Sequence, residues 1–306
     1  MKARRFLLAL ALSAAASAPV QADGAIYVAT NGGLSISADG GSTWSNDTGI
    51  LGGLAGNRVS GVCVVVGGKI YAATWLSGLF ISPGGGGKIW IGYSDPVISR
   101  NVNSVYAAGN DVYASTVMGL SLSTNGGTTW TRSLATYVVN RVAVSGSTIY
   151  AATSGAGLEV SNDGGSNWTS YLGTSAVPDV CVAGSTIYAA AIPSNGGVGG
   201  GLWVSTDAGF HWTQFLANGT IQSVCVVGST IYVVNGQAVS ISTDNGATWK
   251  DYLKNHAVRR VYVSGNTIYA ESGAGLWVST DGGSNWTTWT TANGLAGNDV
   301  YDVFVQ

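Results

Sequence analysis

Carboxylates recur in this chain at a fixed distance from a tryptophan, and that spacing is where chemistry could reside. The segment Ser37-Ala38-Asp39-Gly40-Gly41-Ser42-Thr43-Trp44 returns at 123–130, 161–168, 205–212, 242–249 and 279–286. Asp39, Asp163, Asp207, Asp244 and Asp281 supply the acid, and Asn125 replaces it once. Such a group could hold a cation or a sugar. It could equally close a tight turn, the side chain accepting from nearby backbone N–H groups while glycine supplies a positive φ. One catalytic centre does not need the same acid in nearly every copy of a repeat. The turn is therefore the expected reading, with a weak cation site at one or two copies as its alternative.

Outside this motif the acids are few. Glu159 and Glu271 are the only glutamates, and Asp179 and Asp302 are the other carboxylates that could serve a site. A glycosidase needs two carboxyls about 5–10 Å apart, whereas these four are expected to be spread around the molecule. His211 lies inside a motif and His256 in a connection, which suggests neither a triad nor a zinc site. No metal or other cofactor is expected. Cys63, Cys181 and Cys225 occupy one repeat position, filled elsewhere by Ala143, Tyr106, Tyr262 and Phe304. An odd count without metal spacing points to buried free thiols in a core slot of variable volume.

The elements that position these residues come from an internal repeat. A tyrosine in Ile-Tyr-Ala-Ala-Thr-like segments stands at 27, 71, 113, 150, 188, 232 and 269, giving seven units of about forty residues. Each unit holds four β-like segments: V-x-x-V-x-V, the Ile-Tyr segment, Gly-Leu-x-Val-Ser, and a fourth beginning at the motif tryptophan. That tryptophan is present in all seven, as Trp44, Trp90, Trp130, Trp168, Trp212, Trp249 and Trp286, although the second unit is degenerate at 82–90. Four short antiparallel strands per repeat predict an all-β, seven-bladed propeller. The first unit opens on segment two and the last residues form an unpartnered segment one. The expected closure therefore pairs the C-terminal strand with the N-terminal blade and removes two sheet edges.

The N-terminal residues have the form of an export signal: Lys2, Arg4 and Arg5, the apolar run 6–12, then Val20-Gln21-Ala22. The expectation is a signal peptide over 1–22 and a single domain over 23–306, in the periplasm, at the cell surface or outside the cell. No later stretch is long and apolar enough to span a bilayer. Removing the three basic leader residues from 13 leaves ten against 15 acidic ones, a net charge of about −5. That balance argues against nucleic acid, whose binding needs clustered Lys and Arg.

The motif S-x-D-x-G-x-x-W resembles the Asp-box, or bacterial neuraminidase repeat, of sialidases, sortilin-type receptors, xyloglucanases and photosystem-assembly propellers. The resemblance covers nearly all of the chain after the leader and implies the propeller fold, whereas activities differ among these proteins. It does not extend to sialidase catalysis. Ile192-Pro193 follows Ala191 instead of an arginine, and Arg58 is three residues out of register with Arg141 and Arg260.

Residues that break the repeat are then the candidates for function. Trp75, in Thr74-Trp75-Leu76-Ser77-Gly78, has no counterpart in the other units and is the first candidate for stacking on a ligand. Trp203 and Trp277 share a strand-three position with Phe80, Ser35, Ser121, Ser240 and Glu159, where packing and ligand contact are equally expected. One inner-strand position reads Asp302, Gly61, Ser104, Arg141, Asp179, Ser223 and Arg260, a ring expected to face the mouth of a central channel. It would bind a polar ligand or, the favoured reading, form ion pairs. Irregular loops collect on the face of the two-to-three loops and the connections between units, with Ile192–Gly201 and the "GLAGN" links at 53–57 and 294–298. The functional expectation is a non-catalytic module that binds a glycan or a surface protein on that face. A structural scaffold, with self-association, is the alternative, and a glycoside hydrolase the second.

Overall fold

A computed structural model describes residues 24–48, 53–54, 58–84, 86–94, 97–193, 199–217 and 219–306. The expected leader, residues 194–198 of the glycine-rich loop and residues 55–57 of the first link lie outside the described residues. The regular structure of the described chain is strand, its one helical element being the 3-10 turn Thr291–Asn293.

The strands form four-stranded antiparallel sheets that follow the repeat units. In the second unit, for example, Val59–Val64, Ile70–Thr74, Gly78–Ser82 and Ile91–Tyr93 pair in sequence order. The fourth and fifth units touch edge to edge through one residue pair, Ser154 opposite Ala176. In the first unit the strand before Ile26–Thr30 is Val300–Val305, with Ile26 opposite Val305 and Tyr27 opposite Phe304.

Strands alternate side chains between two faces, and both faces of the middle strands are buried, which is why Ile70–Thr74 and Gly78–Ser82 are covered at every residue. The cores therefore lie in the gaps between adjacent sheets. Tyr269, Leu276 and Trp289 of the last unit pack with Ile26, Val28 and Val303 of the first.

The recurring acidic motif is a turn that also joins neighbouring sheets. In the first unit Ser37 Oγ donates to Asp39 Oδ1 at 2.8 Å and accepts from the Gly41 N–H at 2.7 Å. Asp39 then accepts from the Thr43 N–H and hydroxyl at 2.8 and 2.6 Å. These donors, the Thr43 hydroxyl foremost, hold the exposed Asp39 carboxyl down at about 2. Asn125 performs the same service through Oδ1, accepting from the Thr129 N–H at 2.9 Å. Five of the motif indoles, from Trp130 to Trp286, donate to the glycine carbonyl three residues back. Trp130 and Trp212 lean on Tyr93 and Tyr171 of the preceding sheet, with ring centroids 6.4 and 6.3 Å apart.

Gly41 combines φ +92 with a close approach: a Cβ there would lie 2.5 Å from the ring of Trp289 in the last unit. Gly41→Ala is expected to cost about 2–3 kcal/mol. Gly282→Ala, at φ +70 with nothing within 4 Å, should cost about 1 kcal/mol. Urea midpoints of the two variants separate the contact between units from the backbone contribution.

Candidate functional site

Two constellations gather the residues that break the repeat, one in the channel and one on the loop face. Each inner strand begins with a β-bulge, as between Val59 and Gly61, Val139 and Arg141, or Val258 and Arg260. The bulged strand leaves backbone N–H groups that the ladder does not satisfy. The residue after the bulge meets this need across the gap. Asp302 accepts from the Val62 N–H at 2.9 Å, Asp179 from the Val224 N–H at 3.2 Å, and Ser223 from the Val261 N–H at 3.4 Å. Bulge and cross-strand capping together were not evident in the sequence, where only the mixed chemistry of the ring position signalled them.

The charged members of the ring are drawn together across the channel. Arg141 reaches Asp302 at 3.1 Å and Asp179 at 3.6 Å. Arg260 pairs with Asp302 and stands 3.8 Å from Asp179. Asp179 and Asp302 are 3% and 4% exposed. Their burial raises both carboxyl pKa values, and the Arg141 guanidinium works in the opposite direction. Four side chains from four units thus form a closed ion-pair network. Cavities of about 310 and 380 Å³ adjoin it, both lined by Tyr106, Arg141, Arg260 and Tyr262.

Glu271 lies against this network. It replaces the Ala29, Ala73, Ala152 and Ala190 of other units, is 1% exposed, and makes no well-formed hydrogen bond among the described residues. Desolvation, then the charge of Asp302, pushes its carboxyl well above the ordinary range, and Arg141 and the Val303 N–H offset only part of that rise. The four acids are therefore not spread as expected: Asp179, Asp302 and Glu271 converge, while Glu159 stands apart and accepts from Ser170 Oγ at 2.6 Å. The convergence has no free general base. The aspartates are engaged by guanidiniums and backbone N–H groups, and Glu271 is sealed from solvent. Cys63, Cys181 and Cys225 are unpaired, and burial pushes their thiols up to about 11, 12 and 11.

The three candidate tryptophans occupy separate surroundings. Trp203 Nε1 donates to the Gly199 carbonyl at 2.9 Å, and Trp277 meets the edge of His256 at 4.6 Å with its Nε1 buried. Trp75 is half-buried on the loop face, with the Arg58 guanidinium 5.0 Å above its ring. The same guanidinium lies 4.5 Å over Tyr301, whose hydroxyl donates to Asp299 at 2.6 Å. Asp299 also pairs with Arg259. Tyr301 and Arg58 were not recognised as partners of Trp75 in the sequence, because they lie 226 and 17 positions away from it.

Leu76, beside Trp75, is 65% exposed at φ +81. The fourth unit has a loop of equal span, in which Thr153 Oγ1 donates to Gly157 O as Thr74 Oγ1 does to Gly78 O. There the residue matching Leu76 is Gly155, at φ +98.

No family model matches the chain, and no curated protein sequence matches it closely. Solved structures do. YCF48 bound to a D1 peptide superposes with a TM-score of 0.63 at 17% identity, covering 81% of this chain and 85% of that one. The extracellular domain of BT4673, a putative one-component system of B. thetaiotaomicron, gives 0.68 at 13% identity, covering 85% of this chain and 37% of that one. A GH74 xyloglucanase from Xanthomonas campestris gives 0.63 at 16%, covering 85% of this chain and half (50%) of that one. At these identities the likeness is one of architecture, and the chain is a β-propeller protein.

Proposed function

We propose that this chain is an exported, non-catalytic interaction module that docks a protein partner on the face of its two-to-three loops. It is a single domain over residues 23–306 after loss of the 1–22 leader, working in the periplasm, at the cell surface or outside the cell. Seven blades arranged in a ring, with Val300–Val305 completing the first, would give that face a rigid base.

The observation that carries the reading is the exposed Arg58 guanidinium stacked on both Trp75 and Tyr301. Aromatic residues and arginine are the side chains that dominate binding energy at protein interfaces. A propeller of similar architecture is bound to a peptide, and another is an extracellular domain. The hydrolase alternative finds no support in the carboxylates, whose oxygens serve ion pairs and backbone groups.

Photo-crosslinking in the native cells tests this, with the reactive amino acid placed at Leu76 or at Phe210, an exposed residue of a motif turn on the opposite face. One discrete protein adduct, identified by mass spectrometry, is expected from Leu76 and not from Phe210. Adducts from Phe210 alone, or none with protein alongside binding on a glycan array, would reverse the assignment.

A further inference from the structure

We infer that the loop face takes an extended acidic protein segment, with a carboxylate on the Arg58 guanidinium and an apolar side chain against Leu76; this rests on the protein-docking reading above. Arg58 is exposed and has no carboxylate partner among the described residues. A planar guanidinium lying over two rings is already oriented, so a carboxylate can bind it as a fork without ordering a long side chain. The platform is itself braced. Asp299 fixes the Tyr301 hydroxyl and neutralises Arg259, leaving Arg58 as the uncompensated charge of the cluster.

Leu76 supplies the apolar half. Where the fourth unit uses glycine, this loop carries a leucine in the left-handed region with its side chain exposed at the tip. Asn101 Oδ1 accepts from the Leu76 N–H at 3.0 Å and holds the loop tip outward. Met118, at the tip of the neighbouring two-to-three loop, is 51% exposed. Aliphatic side chains beside one oriented cation suit a peptide of acidic and apolar residues. They suit a sugar less well, because one approach to the Trp75 ring is already occupied by Arg58.

The test is selection of a phage-displayed random dodecapeptide library on the intact chain without its leader. The selected peptides are then synthesised and measured by fluorescence anisotropy. Peptides pairing Asp or Glu with Leu, Ile or Phe are expected. Arg58→Gln should weaken them about tenfold or more, and Arg58→Lys several-fold, since lysine keeps the charge without the fork. Leu76→Gly should weaken them about threefold while raising the melting midpoint by about 2–4 °C, which separates lost contact from lost folding. Selected peptides that are neutral or basic, or bind Arg58→Gln equally well, overturn the acidic chemistry; if they still lose affinity in Leu76→Gly, the docking face stands. A library that yields nothing, with a glycan array bound in a Trp75-dependent way, overturns both.

Discussion

Asp302→Ala is expected to lower stability by about 3–5 kcal/mol, the cost of leaving buried charge without its partner. Asp302 is the acceptor shared by Arg141 and Arg260. Its other oxygen takes the Val62 N–H of the neighbouring unit. Removing the carboxylate strands two guanidiniums that are only 19% and 17% exposed, against Asp179 alone. It also unpairs a main-chain donor between Val300–Val305 and the second unit. Urea unfolding of Asp302→Ala, Arg260→Ala and the double variant measures this. The double variant should be less destabilised than the sum of the singles, because the second substitution removes the charge that the first left bare. A shift below about 1 kcal/mol for Asp302→Ala, or strict additivity, would show that water in the channel solvates the arginines and that the network contributes little.

The second large effect has the opposite sign. Glu271→Gln is expected to stabilise the protein at alkaline pH by about 1–3 kcal/mol, the desolvation penalty of an unpartnered buried group. In the unfolded chain Glu271 loses its proton near its ordinary value; in the folded chain it does so only at higher pH. Between those two values the folded state binds more protons than the unfolded state, so stability falls as pH rises. The wild-type protein should therefore lose stability above about pH 4 relative to Glu271→Gln, the difference growing until the folded-state value is passed. Below that range the two proteins should differ little. Melting midpoints across pH 4 to 9 that run parallel for both would show that the carboxyl reaches solvent or a counter-ion.

Both effects arise at positions whose individuality was visible in the sequence and whose consequence was not. Asp302, Arg141, Asp179 and Arg260 stood out because a ring position of an otherwise uniform repeat carried charge. Their convergence depends on the bulge that starts each inner strand and on the width of the channel, neither of which is a property of local sequence. Glu271 was visible as one of two glutamates, yet nothing nearby distinguishes a buried glutamate from one at a strand edge. Trp75 was legible as an interruption of the repeat. That its loop has the same span as Thr153–Gly157 of the fourth unit, and that Arg58 covers its ring, required the loop geometry.

The repeat by itself determined the β class, the four strands of each unit and the role of the recurring Asp and Trp. Those depend on local matters: alternation, turn chemistry, and a hydrogen-bonding side chain within four residues of its donors. Only the tertiary structure decided which charges neutralise one another and which carboxyl is left without a partner. It alone placed one arginine over two rings that stand 226 positions apart in the chain. These outcomes depend on distances between units far apart in sequence, and burial sets their energies by stripping water from each group.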